Sequence, residues 1–423
     1  MKSNLFWAAT GKTLAVVTVA LIVVFVLAPG ASAATEKVLY SFTGKSDGET
    51  PHGSPVFDSA GNLYGTTLEG GRRGCRYWFG TGCGVVFQLT PNADGSWTEN
   101  VLYRFKGGAD TQSPEWGSLV FDSANNLYGT TVGNWHKYQG SVFELTPHAD
   151  GSWTERVLHH FTGKNDGSRP LSALTFDQAG NLYGTTTMSG AHGCGTVFEM
   201  TPGAHNHWTF RVIHQFNGKA SCTPFVGLTL GPDGAFYGTT RGDENCQKRC
   251  GTVYKLTPTA GGKWTFAEIH RFTGGEDGAT PSMTGPVFDA QGNLYGTVEF
   301  QGAYGYGLVY QLAPSAGGTW TYQVLYQFQG LGDGGNPEST MMFDSSGNLY
   351  GTGRTGGAYG YGAVFMVTPN QDGTWTESVV HDFDNSDGST PGGALLWDPA
   401  GNLYGITPFG GTYGSGTVYE ITP

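Results

Sequence analysis

The sequence predicts an all-β fold, a seven-bladed β-propeller built from four-stranded antiparallel blades. Three observations lead to this prediction: a β-hairpin pattern occurs seven times, four strand-like segments fit into each repeat, and the two chain ends supply complementary parts of one blade. The hairpin pattern reads FDSAGNLYGTT at residues 57–67. Its tyrosine recurs every 54 to 64 residues, at Tyr64, Tyr128, Tyr183, Tyr237, Tyr295, Tyr350 and Tyr404.

The first repeat shows how the four strands follow one another. Residues 55–58 and 62–67 form two strands that flank a short turn. After a glycine-rich loop, residues 85–90 (VVFQLT) form the third strand. The Asp-Gly pair at 94–95 predicts a tight hairpin into a fourth strand at 97–105, because Asp-Gly favours the backbone angles of a two-residue turn.

The chain ends support closure of the ring. Residues 35–42 align with the fourth strands, whereas the chain finishes in a third strand at 418–422, so we expect 35–42 to complete the seventh blade. The predicted organisation is a signal peptide at 1–33 and a single propeller domain at 34–423. The repeats lie near 54–105, 117–161, 172–216, 226–272, 284–328, 339–383 and 394–423 plus 35–42.

The N-terminus has the residue order of a secretory signal. Lys2 and Lys12 precede an apolar run at 14–28 and the small residues at 31–33. We expect cleavage after Ala33; an uncleaved anchor is the alternative, although the run is shorter than the ~20 residues that a spanning helix needs. The sequence thus predicts a secreted or periplasmic protein with no membrane span after cleavage.

The charge balance argues against a nucleic-acid partner. Residues 1–33 hold two lysines and no acidic residue, so 20 basic and 34 acidic residues remain, a net charge of −14. Phosphate binding needs a basic patch, which such a chain is not expected to offer. We expect a monomer whose partner is a glycan, a peptide or a cell-envelope macromolecule.

The fourth repeat departs from the hairpin pattern at two positions together. Gly231 replaces the aspartate that ends the first strand, and Ala235 replaces the asparagine that opens the second. This joint loss leads to the hypothesis that the aspartate accepts hydrogen bonds from the turn amides and from the asparagine side chain.

The recurring G-N-L-Y-G-T-T, with downstream G-T-V-F-E-L-T-P and D-G-x-W-T segments, resembles the GloVer tandem repeat of choice-of-anchor exported bacterial proteins. The resemblance covers residues 35–423. It implies an exported repeat protein without an established biochemical role, and it implies no catalytic residues. Members can end in an anchoring segment, which we do not expect here because the chain stops at Pro423, directly after a third strand.

Six cysteines in an exported chain predict disulfides. Two pairs each share a loop between the second and third strands, and the remaining two cysteines fall on the same face of the propeller. A metal site at Cys246-x-x-x-Cys250 is the alternative, but no matching second pair follows it. The predicted disulfides are Cys75 with Cys83, Cys194 with Cys222, and Cys246 with Cys250.

The long loops, which join the second strand to the third and each blade to the next, emerge on one face, here named the loop face. Aromatic side chains gather there, and rings with polar edges suit sugar or peptide surfaces; packing between blades is the alternative. The candidate ligand-binding residues are Trp78, Trp116, Trp135, Tyr304, Tyr306, Tyr359, Tyr361 and Tyr413.

An Asp-Gly pair precedes a proline in several loops between blades. Calcium takes oxygen ligands and is one interpretation of these carboxylates; a plain turn is the other. We predict no other cofactor and no other metal. The pairs begin at Asp47, Asp166, Asp277, Asp333 and Asp387.

Two functional hypotheses follow. The first is a secreted binding or structural propeller that presents its loop face to an extracellular glycan, peptide or envelope partner. The alternative is a propeller enzyme, a hydrolase or lyase acting on an extracellular carbohydrate or lactone, which requires titratable groups that converge at the channel mouth. The loop-face histidines, His52, His136 and His192, lack a carboxylate at a recognisable spacing, and the innermost strands predict a packed, dry channel. We therefore assign no catalytic residue and favour binding.

Overall fold

The computed structural model describes residues 34–423 apart from 73, 76–80, 109–110, 135–138, 219–220, 226, 243–249, 282–284 and 331. The described residues form seven antiparallel sheets, each of which is one blade of a β-propeller. The predicted fold class is confirmed. Two single 3-10 turns, Ala204–Asn206 and Ala316–Gly318, are the helical elements of this part of the chain. None of its helices has the length and apolar character needed to cross a bilayer.

The strand β1 (Thr35–Ser41) belongs to the last blade, and the other blades follow in chain order. Each blade runs from an innermost strand, next to the axis, to an outermost strand. Blade 1 contains β2 (Glu49–Phe57), β3 (Leu63–Glu69), β4 (Val85–Pro91) and β5 (Trp97–Arg104); blade 2 contains β6 (Val120–Phe121), β7 (Leu127–Thr131), β8 (Ser141–Pro147) and β9 (Trp153–His160); blade 3 contains β10 (Thr175–Phe176), β11 (Leu182–Thr186), β12 (Thr196–Pro202) and β13 (Trp208–Gln215).

The remaining blades repeat this order, and in blades 5 and 6 the innermost strand is divided in two. Blade 4 contains β14 (Thr229–Leu230), β15 (Phe236–Thr240), β16 (Thr252–Thr259) and β17 (Lys263–Arg271); blade 5 contains β18 (Ala279–Pro281), β19 (Val287–Phe288), β20 (Leu294–Phe300), β21 (Leu308–Pro314) and β22 (Trp320–Gln327); blade 6 contains β23 (Gly334–Pro337), β24 (Met342–Phe343), β25 (Leu349–Gly356), β26 (Ala363–Pro369) and β27 (Trp375–Asp382); blade 7 contains β28 (Gly392–Trp397), β29 (Leu403–Thr407) and β30 (Thr417–Thr422).

The N-terminal strand closes the ring, as the sequence predicts. β1 pairs antiparallel with β30, with Glu36 opposite Ile421, and so becomes the outermost strand of blade 7. Leu39 and Phe42 are buried in the core between blades 7 and 1. Closure therefore joins the two ends of the chain both by backbone hydrogen bonds and by buried apolar surface.

The repeated aspartate holds the hairpin that opens the blade in every repeat except the fourth. In blade 1, Asp58 accepts hydrogen bonds from the amides of Ala60 and Asn62, each at 2.9 Å, and from the Asn62 side chain at 2.7 Å. Its second oxygen also accepts a bond from the Tyr64 hydroxyl at 2.9 Å. Burial on its own raises the pKa of Asp58, but these hydrogen bonds outweigh it and lower the pKa below its ordinary value. The hypothesised hydrogen bonds are present.

The hydrogen bonds that the repeated aspartate accepts within its hairpin are here named the aspartate clamp. In blade 4 a neighbouring residue forms the clamp instead. Asp233, two positions after Gly231, accepts bonds from the Ala235 amide at 3.1 Å and from the Tyr237 hydroxyl at 3.0 Å. Lys255 lies 2.5 Å from the same carboxylate. The function of the missing aspartate is therefore moved along the turn, which explains how the fourth repeat tolerates both substitutions.

A proline contact joins each blade to the next and shapes the loop face. Thr390, which precedes Pro391, has a φ of 54° and donates its N–H to the Tyr361 carbonyl at 2.8 Å. A Cβ placed on Gly362 would lie 2.5 Å from Cδ of Pro391, so only glycine fits against this proline. A positive φ is strained for these residue types, yet it recurs before every such proline, with φ from 50° to 62°, at Thr50, Ser113, Arg169, Thr223, Thr280, Asn336 and Thr390.

Candidate functional site

The axial channel contains a cavity of about 250 Å³. Small residues that lie in or just before the innermost strand of each blade line it, and since all seven blades contribute, the cavity lies on the propeller axis. The expectation of a packed channel is corrected, because the side chains at this level are too small to fill the space. These residues are Ser54, Ser118, Ala173, Gly227, Gly285, Thr340 and Ala394.

Charged residues gather at the loop-face end of this channel, here named the channel mouth. Arg241 lies 3.2 Å from one oxygen of Glu299, and Arg354 lies 3.7 Å from the other. Arg354 also lies 3.0 Å from Glu338. The four side chains come from blades 4, 5 and 6, so the cluster spans three consecutive blades.

This cluster was not predicted from the sequence, although the repeats contain a signal for it. Arg241, Glu299 and Arg354 each stand four residues after a repeat tyrosine. The other blades carry uncharged residues there, which are Leu68, Val132, Thr187 and Pro408. Aligning the seven repeats by their tyrosines shows one column with three charges in succession. Only folding shows that Glu338, from a different part of its repeat, completes the set.

The side chains of the cluster differ in their exposure to solvent, and this difference affects which of them are charged. The side chains of Glu299 and Glu338 are 1% and 2% exposed, whereas that of Arg354 is 47% exposed. Burial, followed by the charge of Glu338, raises the pKa of Glu299 to about 8, against the opposing effect of the two arginines. Glu299 is therefore largely protonated at neutral pH, and a guanidinium is the part of the cluster that faces solvent.

His52 and Trp116 pack together next to the axial cavity. Their ring centroids are 4.5 Å apart in an edge-on arrangement, and Trp116 also lines the axial cavity. The Nδ1 atom of His52 is buried; burial, followed by the charge of Arg354, lowers the pKa of His52 to about 3. The loop-face histidine is thus a neutral, packed residue, and Trp116 is the candidate aromatic residue that reaches the channel. His136 lies outside the described residues.

Five of the candidate tyrosines are exposed on the loop face of blades 5, 6 and 7. Three of them hold the same position in successive loops between the second and third strands, and His192 holds that position in blade 3. The exposed fractions are 58% for Tyr304, 41% for Tyr306, 63% for Tyr359, 41% for Tyr361 and 61% for Tyr413. The other two candidates, Trp78 and Trp135, lie outside the described residues.

The Asp-Gly loops use their carboxylates as hydrogen-bond acceptors within the turn. Asp47 accepts bonds from the Thr43 amide at 2.7 Å, the Thr43 hydroxyl at 2.6 Å and the Tyr40 hydroxyl at 3.1 Å. Asp333 likewise accepts bonds from the amides of Gln329 and Gly330, each at 2.8 Å. These contacts are those of a turn that is held by its own aspartate.

The outermost strands carry histidines that pack between blades. His159, His214 and His270 stack face to face on Phe210, Phe266 and Tyr322 of the next blade, with centroids 3.8 to 4.3 Å apart. At the closing interface His381 instead meets Glu36, and it lies 2.8 Å from Asp387. Burial is the largest cause that raises the pKa of Glu36, to about 7.

Two of the three predicted disulfides lie wholly within the described residues and are confirmed. Cys75 is bonded to Cys83, and Cys194 to Cys222. Cys250 is also disulfide-bonded. Cys246, its predicted partner, lies outside the described residues, so that pairing stays a prediction.

Seven four-stranded blades around an axial cavity define the class of protein, a seven-bladed β-propeller. Within that class, the chain belongs to the Gloeobacter/Verrucomicrobia repeat family, whose model matches residues 75–284 and 243–423. The resemblance to this repeat is therefore confirmed. The choice-of-anchor architecture and export remain predictions.

Solved propellers share the fold at low sequence identity. A gluconolactonase from Xanthomonas campestris is 15% identical, with a TM-score of 0.42 and coverage of 92% of this chain and 89% of that one. A protein of unknown function from Dyadobacter fermentans is 12% identical, with a TM-score of 0.44 and coverage of 93% of this chain and 100% of that one. A puromycin-hydrolyzing peptidase from Mycobacterium tuberculosis is 12% identical, with a TM-score of 0.50 and coverage of 85% of this chain and 50% of that one. No curated protein matches the chain.

Proposed function

We propose that this chain is an exported propeller that binds an extracellular glycan on its loop face. One observation carries the proposal: Tyr304, Tyr359 and Tyr413 are exposed by 58% to 63% at the same loop position of three consecutive blades. An exposed phenol ring offers an apolar face to the C–H surface of a sugar and a hydroxyl to its polar edge. Three such rings on neighbouring blades suit an extended chain of sugars.

The loops that carry these rings are held before any ligand arrives. The Ala358 amide donates to the Asp382 side chain at 2.7 Å, and the Ala303 amide donates to the Gln327 side chain in the equivalent loop of blade 5. The glycines after Tyr304 and Tyr359 have φ of 86° and 77°, a conformation that suits glycine best. A loop that is already ordered loses less conformational entropy on binding, which favours affinity.

Export is part of the proposal and has two supports. The charged, apolar and small segments of residues 1–33 follow the order of a cleavable signal. Disulfides persist in oxidising compartments, and the described residues contain Cys75–Cys83 and Cys194–Cys222. N-terminal sequencing of the protein recovered from outside the cytoplasm tests this part, with Ala34 as the expected first residue.

Calorimetric titration of the mature protein against soluble oligosaccharides tests glycan binding. We expect at least one oligosaccharide to bind, and substitution of Tyr304, Tyr359 and Tyr413 by Ser to weaken binding roughly tenfold or more. The matched control is Leu230→Ser, which removes a side chain 38% exposed near the opposite face. Equal affinities for the wild type and the triple variant would contradict the proposal.

A second candidate function is a hydrolase or lyase acting on a carbohydrate or lactone. The contact of Glu299 with Glu338 favours it, because burial and the charge of Glu338 raise the pKa of Glu299, and a carboxyl group of raised pKa can act as a general acid. We rank it second because both side chains are at most 2% exposed, so substrate meets Arg354 first. Release of new chain ends from a bound glycan, lost in Glu299→Gln with binding retained, would establish it.

A further inference from the structure

We propose that the channel mouth is an anion subsite, in which Arg354 and Arg241 bind a carboxylate group of an acidic glycan. The inference rests on the proposed glycan-binding function and names its ligand class. Its first support is a break in the sevenfold pattern. Four blades place uncharged residues at the position four after the repeat tyrosine, and three successive blades place Arg, Glu and Arg there. The scaffold itself does not require charge at this position.

The second support is the way in which the guanidinium groups are held. Glu299 contacts both arginines, and Glu338 contacts Arg354, from positions at most 2% exposed. The ring of Phe225 lies 5.5 Å from the Arg241 guanidinium. Buried carboxyl groups thus hold two planar cations in place, and a fixed guanidinium matches carboxylate, sulfate and phosphate geometry.

The third support is that two buried polar atoms, one in the cluster and one next to the axial cavity, lack partners within the part of the chain that the structure describes. Nε of Arg241 and Nδ1 of His52 are both buried, and neither has a hydrogen-bond partner among the described residues. His52 packs against Trp116, which lines the axial cavity. Buried polar atoms are normally paired, so unpaired ones in a binding region indicate a place that a ligand or an ordered water completes.

The charge of the surroundings makes this cation distinctive. The chain without residues 1–33 has a net charge of −14, yet the group exposed at the channel mouth is Arg354, with its side chain 47% in solvent. An acidic polymer is repelled by most of such a surface and attracted here. A local opposite charge gives register and selectivity more than overall affinity.

The test compares two ligands with the same sugar chain. One is an oligogalacturonate tetramer, whose carboxylates are charged, and the other is its fully methyl-esterified, neutral counterpart. We expect the wild type to bind the acid about tenfold to a hundredfold more tightly, the range of one charge-assisted hydrogen bond. Arg354→Gln is expected to abolish this preference and to leave the affinity for the methyl ester unchanged. A third ligand is a tetramer of uncharged sugars that carries sulfate groups. If the wild type prefers it over the unsulfated tetramer and the variant does not, the result would support the site with sulfate as its anion.

Arg211→Gln is the matched control. Arg211 also pairs with a buried glutamate, Glu199, and its side chain is 46% exposed, but it lies away from the channel mouth. If Arg354→Gln does not fold, the double variant Arg354→Gln with Glu338→Gln, which also removes the buried carboxyl group next to Arg354, is used instead. Equal binding of both tetramers by the wild type, or an unchanged preference in the variant, overturns the anion subsite alone. Binding of neither tetramer and of no other oligosaccharide overturns the proposed function as well.

Discussion

The N–H of Ala394 donates a hydrogen bond of 2.6 Å to the hydroxyl of Ser54, although 340 residues separate them in the chain. The bond joins the innermost strand of the last blade to that of the first. Ser54 in turn donates its own N–H to the hydroxyl of Ser118 at 2.7 Å, which extends the contact to blade 2. The ring is thus closed at the axis as well as at the outermost strand.

Ser54→Ala is expected to destabilise the propeller by about 1 kcal/mol, because the part-buried Ala394 N–H loses its acceptor. Denaturant unfolding measures the change. Ser59→Ala, in an exposed turn of the same blade, is the control and is expected to stay within about 0.5 kcal/mol of the wild type. Equal stability of the two variants would show that closure does not depend on this bond.

Asp177→Ala is expected to lower the free energy of unfolding by about 2 kcal/mol and to leave ligand binding unchanged. Asp177 accepts bonds from the amides of Ala179 and Asn181, each at 2.9 Å, and from the Asn181 side chain at 2.8 Å. Differential scanning calorimetry gives the melting temperature, with Gln178→Ala in the same turn as the control. If Asp177→Ala melts at the wild-type temperature, the hydrogen bonds of this aspartate do not stabilise the protein and do not explain why the residue recurs in the repeats.

Stability is expected to fall as the pH rises from about 6.5 to about 8. A carboxyl group whose folded pKa is raised stabilises the fold fully below its unfolded pKa of 4.5 and loses this effect as the pH passes the folded pKa. Burial is the largest cause of the raised value in each case. These groups are Glu36, Glu99 and Glu377, with pKa values of about 7, and Glu299, with a pKa of about 8.

Two histidines act in the opposite direction, but mainly below this range. Burial lowers the pKa of His52 to about 3 and that of His214 to about 4, so their contribution is present above pH 6.5 and is lost as the pH falls. Melting temperatures across pH 6.5–8 isolate the carboxyl effect. Glu99→Gln with Glu377→Gln is expected to flatten the profile. A melting temperature that rises over this range would be inconsistent with buried, protonated glutamates.

Calcium is expected to leave the melting temperature unchanged, because the loop carboxylates already serve as acceptors for N–H and O–H groups of their own turns. Asp47, for instance, accepts three bonds of 2.6 to 3.1 Å from Thr43 and Tyr40. The measurement compares the protein in calcium and in chelator at one ionic strength. A calcium-induced shift of the melting temperature that chelator reverses would show that these turns bind calcium.

His381→Tyr is expected to melt at or above the wild-type temperature. Tyr40 and Tyr326 hold the equivalent position in other blades, where they face Glu99 and Glu377, so tyrosine fits the site that Glu36 borders. The phenol hydroxyl also replaces the His381 hydrogen bond to Asp387. His381→Phe, which lacks that hydroxyl, serves as the comparison and is expected to lose about 1 kcal/mol. The opposite order of the two variants would refute this pairing.

The sequence by itself determined the blade. Turn residues, alternating apolar runs and the tyrosine repeat act within about sixty residues, and they specify the strands, the aspartate clamp and the surplus strand at 35–42. The exposed tyrosines were also predictable, because their loops have one length and one glycine pattern. The disulfides within the described residues followed from the face on which each loop emerges.

Only the tertiary structure decided what the blades build together. The width of the channel depends on seven small residues, two of them glycines, that surround the axis, and no local pattern sets that distance. Arg241, Glu299 and Glu338 are far apart in the chain and form one charged group only because three blades stand side by side. Burial then sets their charges, since desolvation depends on what the neighbouring blades exclude from water.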